Sequence, residues 1–195
     1  YANTSNDSEI YTLKGKNALG IDFLVPMQYE YKSGAYAEAF NSIEILATED
    51  NTNITIDLLQ WTTSPLQTNQ KQTITIQLNR GWCYSFAAKG KTGAEHLHNT
   101  RIKSDKPIAV NSTDDSVEPG DLIGDQLIPV KVDESRYLAG KEYIAVRNFG
   151  LVEKVYVFPT EKNTKIWIDG VLQPTLVNLG DRMMIDLSQQ TYDAT

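Results

Sequence analysis

Residues 42–57 read SIEILATEDNTNITID, and residues 154–169 read KVYVFPTEKNTKIWID. The two stretches align without a gap. Thr48, Glu49, Asn51, Thr52, Ile54, Ile56 and Asp57 recur as Thr160, Glu161, Asn163, Thr164, Ile166, Ile168 and Asp169. Apolar residues recur at Ile43/Val155 and Ile45/Val157. On both sides of the loop, apolar and polar residues alternate. A period of two places the apolar side chains on one face of a half-buried strand. Asn and Asp tolerate left-handed backbone and bond their own main chain, so each T-E-x-N-T predicts a hairpin loop between two strands.

The flanks repeat more weakly. Gly20-Ile21-Asp22-Phe23 precedes the first copy and Gly140-Lys141-Glu142-Tyr143 the second. Asn79-Arg80-Gly81-Trp82 follows the first, Asn178-Leu179-Gly180-Asp181 the second. Asn79-Arg80-Gly81 separates the alternating run Ile74–Leu78 from Trp82–Phe86, and Asp105-Lys106-Pro107 separates residues 100–103 from 108–111. Helical periodicity is nearly absent, and the one helix-like stretch, Gly34–Phe40, is too short to stand alone. The expectation is an all-β protein of two tandem β-sandwich-like units: a polar tail over residues 1–14, one unit over 15–115 and a second over 116–195. The second copy has no counterpart of residues 100–111. Unit two is therefore expected to be incomplete, with an edge open to strand pairing with another chain. A single merged sandwich is the alternative. Residues 112–125, rich in Asp, Gly and Pro, read as a linker.

The composition, 41% apolar and 22% charged over 195 residues, is that of an ordinary globular chain. A net charge of −7 with no basic stripe speaks against nucleic acid as a partner. No apolar run approaches the roughly 20 residues needed to cross a bilayer, so membrane insertion is not expected. Cys83 is the only cysteine, which rules out an internal disulfide framework.

Four groups of residues carry candidate chemistry. Asp114, Asp115, Asp121 and Asp125, with Glu118 among them, are hard oxygen ligands that would hold calcium in a flexible linker; apart from calcium, no cofactor is expected. Tyr29, Tyr31 and Tyr36 fall in a loop-like stretch and would supply rigid amphipathic contact area to a protein or glycan ligand. His96 and His98 read as members of a surface loop, with no third partner for a metal. Cys83, in the alternating run Trp82–Phe86, reads as a buried structural thiol. Sequons at Asn3, Asn6, Asn53 and Asn111 are adequately explained by an Asn/Thr-rich composition. Nucleophile elbow, phosphate loop and zinc-helix motifs are all missing. A carbohydrate-active domain would need two carboxylates about 5–10 Å apart, and nothing pairs any of Asp22, Glu44, Glu49 and Asp57. No catalytic residue is expected.

The hairpins ILATEDNTNITI (45–56) and VFPTEKNTKIWI (157–168), with SDKPIAV (104–110), GDQLIPV (124–130) and GKEYIAV (140–146), resemble those of the IgG Fc-binding protein N-terminal domain family. The resemblance spans roughly residues 15–190. It implies a non-enzymatic, β-rich extracellular or cell-surface interaction module, adhesive or spacing. The lack of cysteine pairs points to bacterial rather than animal members. Immunoglobulin binding is not implied for this chain.

Overall fold

A computed structural model describes residues 2–3, 8–9, 13–34, 37, 39–59, 62, 72–117, 121–138, 140–146 and 153–189. It is all-β: thirteen strands and three short 3-10 helices, with no α-helix among the described residues. No helix there is long and apolar enough to cross a membrane. The chain divides into two compact units, residues 1–139 and 140–195.

In the first unit, β1 (Ala2–Asn3) and β2 (Ser8–Glu9) form a small ladder of their own. The main sheet has seven strands: β3 (Gly20–Leu24), β4 (Asn41–Ala47), β5 (Thr52–Leu58), β6 (Gln72–Leu78), β7 (Cys83–Ala87), β8 (Arg101–Val117) and β9 (Asp121–Gln126). Its main path runs β6-β5-β8-β4-β7, with β3 and β9 also on β8. All of these pairings are antiparallel.

The central strand explains the curl of the sheet. Its first part, Arg101–Ser104, pairs with β5, and Arg101–Lys103 also pairs with β3. Its later part, Ile108–Asp114, pairs with β4, and β9 lies along Asn111–Val117. Asp105-Lys106-Pro107, expected as a turn between two strands, instead lies inside one long strand where the ladder changes partners. Proline has no N–H to give a ladder, so the handover point is where a strand tolerates it. Of residues 112–125, expected as a linker, 112–117 are the end of β8 and 121–125 most of β9.

The predicted hairpin at Thr48–Thr52 is also corrected. Neither β4 nor β5 pairs with the other; both pair with β8. The loop is an arch that carries the chain from one arm of the curled sheet to the other. Both strands alternate buried with less buried residues. Ile43, Ile45 and Ala47 of β4 thus share one core with Ile54, Ile56 and Leu58 of β5. Phe23, Ile102, Ile108, Val110, Phe86 and Leu97 are among the other residues of its interior. Deleting one such aliphatic side chain costs about 2–5 kcal/mol.

The arch is tied to β8 by polar bonds. Thr48 Oγ1 donates to the Pro107 carbonyl. Asp105 accepts from the Asn53 backbone N–H at 2.9 Å and from Asn53 Nδ2 at 2.7 Å. The Lys106 ammonium reaches the carbonyls of Asp50 and Asn51.

The second unit is built from two short ladders. β10 (Lys154–Val157) pairs with β13 (Met183–Asp186). β11 (Trp167–Ile168) pairs with β12 (Val171–Leu172), and a Thr164–Leu176 bridge extends this hairpin. These ladders stand where a second, incomplete sandwich-like unit was expected.

Candidate functional site

The residues that shape the best-defined surface feature come from three distant segments. Val25 is locked into the core edge: its N–H donates to the Thr100 carbonyl and its carbonyl accepts from the Asn99 N–H. The chain beyond it, residues 27–33, folds around the side chain of Gln28. Gln28 Oε1 accepts from the N–H groups of Glu30 and Tyr31, both at 2.9 Å, and Gln28 Nε2 donates to the Tyr31 carbonyl at 2.8 Å. The loop is thus closed on its own glutamine.

Beneath the loop lies a buried polar knot. Gln28 Nε2 also donates to Asp114 Oδ2 at 2.7 Å. Ser33 Oγ donates to Asp114 Oδ1 at 2.7 Å. His96 Nδ1 lies 3.2 Å from Asp114 Oδ2 and 3.1 Å from Gln28 Nε2, and its Nε2 lies 3.3 Å from Ser33 Oγ. Ser33 and His96 are fully buried, and Asp114 nearly so. Each polar group has a partner inside the cluster, as buried polar groups require.

Ser, His and Asp are the residue types of an acyl-transfer triad, but this geometry does not serve one. A triad carboxylate orients the histidine while the serine faces substrate. Here the serine hydroxyl donates to the carboxylate itself and is sealed from solvent. The arrangement holds a loop in shape.

The loop presents its tyrosines unequally. Tyr29 is half-buried and tilts against His98, with ring centroids 5.8 Å apart. Tyr31 is exposed at 44%. Tyr36 lies outside the described residues, as does Glu118. Trp167, on its alternating strand, is on the solvent side.

The two histidines are not on the surface. His96 and His98 are both buried. Thr92 and Glu95 form a capping box around the turn Gly93–Glu95, and Leu97 follows into the core. Gly93 has its Cα face against the backbone of Tyr29 and Glu30, where a Cβ would meet atoms at 2.4 Å, so this turn supports the tyrosine loop directly. The Leu97 N–H is held by Asn41 Oδ1 at 2.7 Å. Burying Leu97 pulls its polar neighbours inward with it. The side-chain hydrogen bonds of Glu95, to Thr92 first and then to the Thr92 backbone, hold its carboxyl below the usual carboxylate range.

Of the four aspartates expected as calcium ligands, three have described side chains. Asp114 belongs to the knot. Asp115 follows it on β8, where successive side chains point to opposite faces. Asp125 is exposed and paired with Lys14. Asp121 lies on β9, and its side chain is outside the described ones. Among the described residues, no three His, Cys, Asp or Glu side chains are grouped to hold a metal. Asp22 is taken up by Arg101, whose Nε and Nη2 donate to its two oxygens at 2.8 and 2.7 Å.

Cys83 is exposed, against the expectation of a buried thiol. Phe86 takes the core side of β7, Tyr84 is half-buried against the core, and Cys83 falls on the outer face with Leu46. There it lines an open, mainly apolar groove with Glu44, Ala109 and Asn111. Partial burial, then the Glu44 charge, push its thiol pKa up against an opposing hydrogen bond from the Ile45 backbone, so the reactive thiolate is disfavoured.

A comparison with protein-family models matches residues 11–193 to the family described as IgGFc binding protein. No curated protein and no solved structure matches the chain.

Proposed function

Because this chain belongs to the IgGFc binding protein family, we propose that it is an extracellular or cell-surface module that binds a protein ligand through the tyrosine loop at residues 27–33, without bond chemistry. The observation that carries this reading is the mismatch between the loop's surface and its support. A short loop with an exposed tyrosine rests on a fully bonded, buried polar knot. An aromatic side chain on a pre-shaped loop loses little conformational entropy on binding, which is how a few anchors come to dominate an interface. Tyr31 is the anchor, and Tyr29 sets its backbone by packing on His98.

The family's name supplies the first ligand to try, and secreted glycoproteins and glycans supply the comparison. Immobilised immunoglobulin Fc and an array of extracellular glycoproteins would be probed with the chain and with Tyr31→Ala. The reading expects at least one protein ligand, with affinity falling about tenfold or more in Tyr31→Ala, the loss typical of an interface hot spot. Binding that is unchanged in Tyr31→Ala would sink it. Retention only on glycan spots would replace the protein ligand with a carbohydrate.

A further inference from the structure

The polar knot beneath the tyrosine loop holds more acceptors than a neutral histidine serves, and counting hydrogens fixes the state of His96. The Gln28 amide has two hydrogens, and both are used, on the Tyr31 carbonyl and on Asp114 Oδ2. None remains for His96 Nδ1, although the two nitrogens lie 3.1 Å apart. Nδ1 therefore carries its own hydrogen, and the Gln28 carbonyl and Asp114 Oδ2, each 3.2 Å away, stand ready to accept it. The Ser33 hydroxyl has one hydrogen, which goes to Asp114 Oδ1. What Ser33 Oγ turns to His96 Nε2, 3.3 Å away, is a free electron pair. Nε2 therefore carries a hydrogen as well. A ring with hydrogens on both nitrogens is an imidazolium.

The surroundings suit that charge. The charged groups around the ring are Asp114 from β8 and Glu95, its neighbour in the turn Gly93–Glu95, and both are acidic. The loop meets it with the neutral side chains of Gln28 and Ser33. His98, two residues on, packs on Tyr29. Lys91, whose carbonyl accepts the Ser33 N–H, has its ammonium over the Phe40 ring. Asp114 is nearly inaccessible to water, and a carboxylate buried that far needs both its donors and a counter-charge.

Loss of one proton takes apart more than one bond. If the neutral ring keeps its hydrogen on Nδ1, Nε2 and Ser33 Oγ face each other with electron pairs. If Ser33 turns its hydrogen to Nε2, Asp114 Oδ1 loses its donor. In both cases the carboxylate stays buried without a counter-charge. The groups that must give way to let water reach it, Gln28 and Ser33, are the two that bracket Tyr31 in the loop.

We propose that His96 is a proton switch for the tyrosine loop: the protonated ring locks residues 28–33 in shape, and the neutral ring releases them. Ligand held by Tyr31 is then bound more weakly as pH rises. The coupling is reciprocal, so a ligand that needs the locked loop favours uptake of the proton. The change in loop order stands on the knot alone, while the change in affinity rests on the loop being the binding site.

The test uses the full chain. Nitrogen NMR of the His96 ring distinguishes the imidazolium from the neutral tautomers, and pH is raised from about 5 until the ring reads as neutral. At each step amide protection, corrected for the intrinsic acceleration of exchange with pH, is read at Glu30, Tyr31 and Ser33, whose N–H groups are bonded in the locked loop. Ile54 and Ile56 serve as core controls. The expected result is an imidazolium at the acid end and loop protection that falls about tenfold or more in step with the loss of its proton, with the controls unchanged. His96→Gln, which has no proton to lose in this range, should flatten the profile. A ring that is already neutral at about pH 5 under an ordered loop overturns the proposal. So does a loop that keeps its protection after the ring has lost its proton, and so does joint loss at Ile54 and Ile56, because the proton would then act on the whole unit. Binding to immobilised immunoglobulin Fc is measured over the same range. Loop protection that follows the proton, without Tyr31-dependent binding that does, supports the switch and removes the loop as the ligand site.

Discussion

The arch at Thr48–Thr52 and its repeat at Thr160–Thr164 share four of five residues, a left-handed Asn and a Thr hydroxyl bonded to a Glu carbonyl, and yet their flanking strands have different fates. Around the first, six aliphatic side chains of β4 and β5 are sealed in a core. Around the second, the equivalent positions Val155, Val157, Ile166 and Ile168 are only partly covered. A turn is decided by its own few residues, through an Asn that accepts positive φ and a Thr hydroxyl within reach of a carbonyl. Burial is decided by whatever closes over the strand. In unit one that is β8, some fifty residues further along the chain than β5.

The largest expected effect breaks this contrast directly. Ile56→Ala should lower the unfolding free energy of unit one by about 2–5 kcal/mol, whereas Ile168→Ala should cost under about 1 kcal/mol, because a half-covered side chain leaves little cavity. Urea unfolding of the two variants gives both numbers. Equal losses would mean that the second copy is as well covered as the first.

A smaller effect is expected at the knot. Asp114→Ala leaves Ser33, His96 and Gln28 without their common acceptor, and one unsatisfied buried group costs about 1–3 kcal/mol. The tyrosine loop loses its support in the same step. Thermal unfolding together with loss of Tyr31-dependent binding would mark the knot as the loop's scaffold. A destabilised chain with full binding would separate the two.

The smallest effect is a pH dependence at the arch. Partial burial works to raise the Asp105 carboxyl, but the hydrogen bonds from Asn53 and the charge of Lys106 together hold it below its ordinary value of 3.8. A depressed carboxylate stabilises the fold above its unfolded pKa, and that contribution fades as pH falls below 3.8 through the lower folded value. Asp105 is largely exposed, so the effect is slight. Asn53→Ala removes the side-chain bond and keeps the backbone one, so it should weaken the dependence, and melting curves of both proteins between neutral and acidic pH would compare the slopes.

Much of this was legible in the sequence. The alternation of Ile43–Ala47 and Ile54–Leu58 gave strands, and the Asn and Gly positions gave the turns. The arch was not legible, because a short loop between two alternating strands serves a hairpin and an arch equally well. Only the distant β8 decides between them. Asp114 was hidden by its acidic surroundings, although a signal existed. Ile108, Val110, Ser112 and Asp114 continue one period-two face through the acidic stretch, and all four are buried. Cys83 followed the same rule in the opposite sense, since the parity of Phe86 puts it outside. His96 had a weaker signal, the single Leu97 beside it. The family match adds a functional class that no local pattern encodes.

Residue-resolved amide exchange of the chain alone tests the central claim most directly, that β8 seals the first copy of the repeat into a core while the strands of the second copy are only partly covered. The Ile54 and Ile56 amides should exchange only through global unfolding of unit one, and the Ile166 and Ile168 amides orders of magnitude faster. Matching protection in the two copies would contradict it.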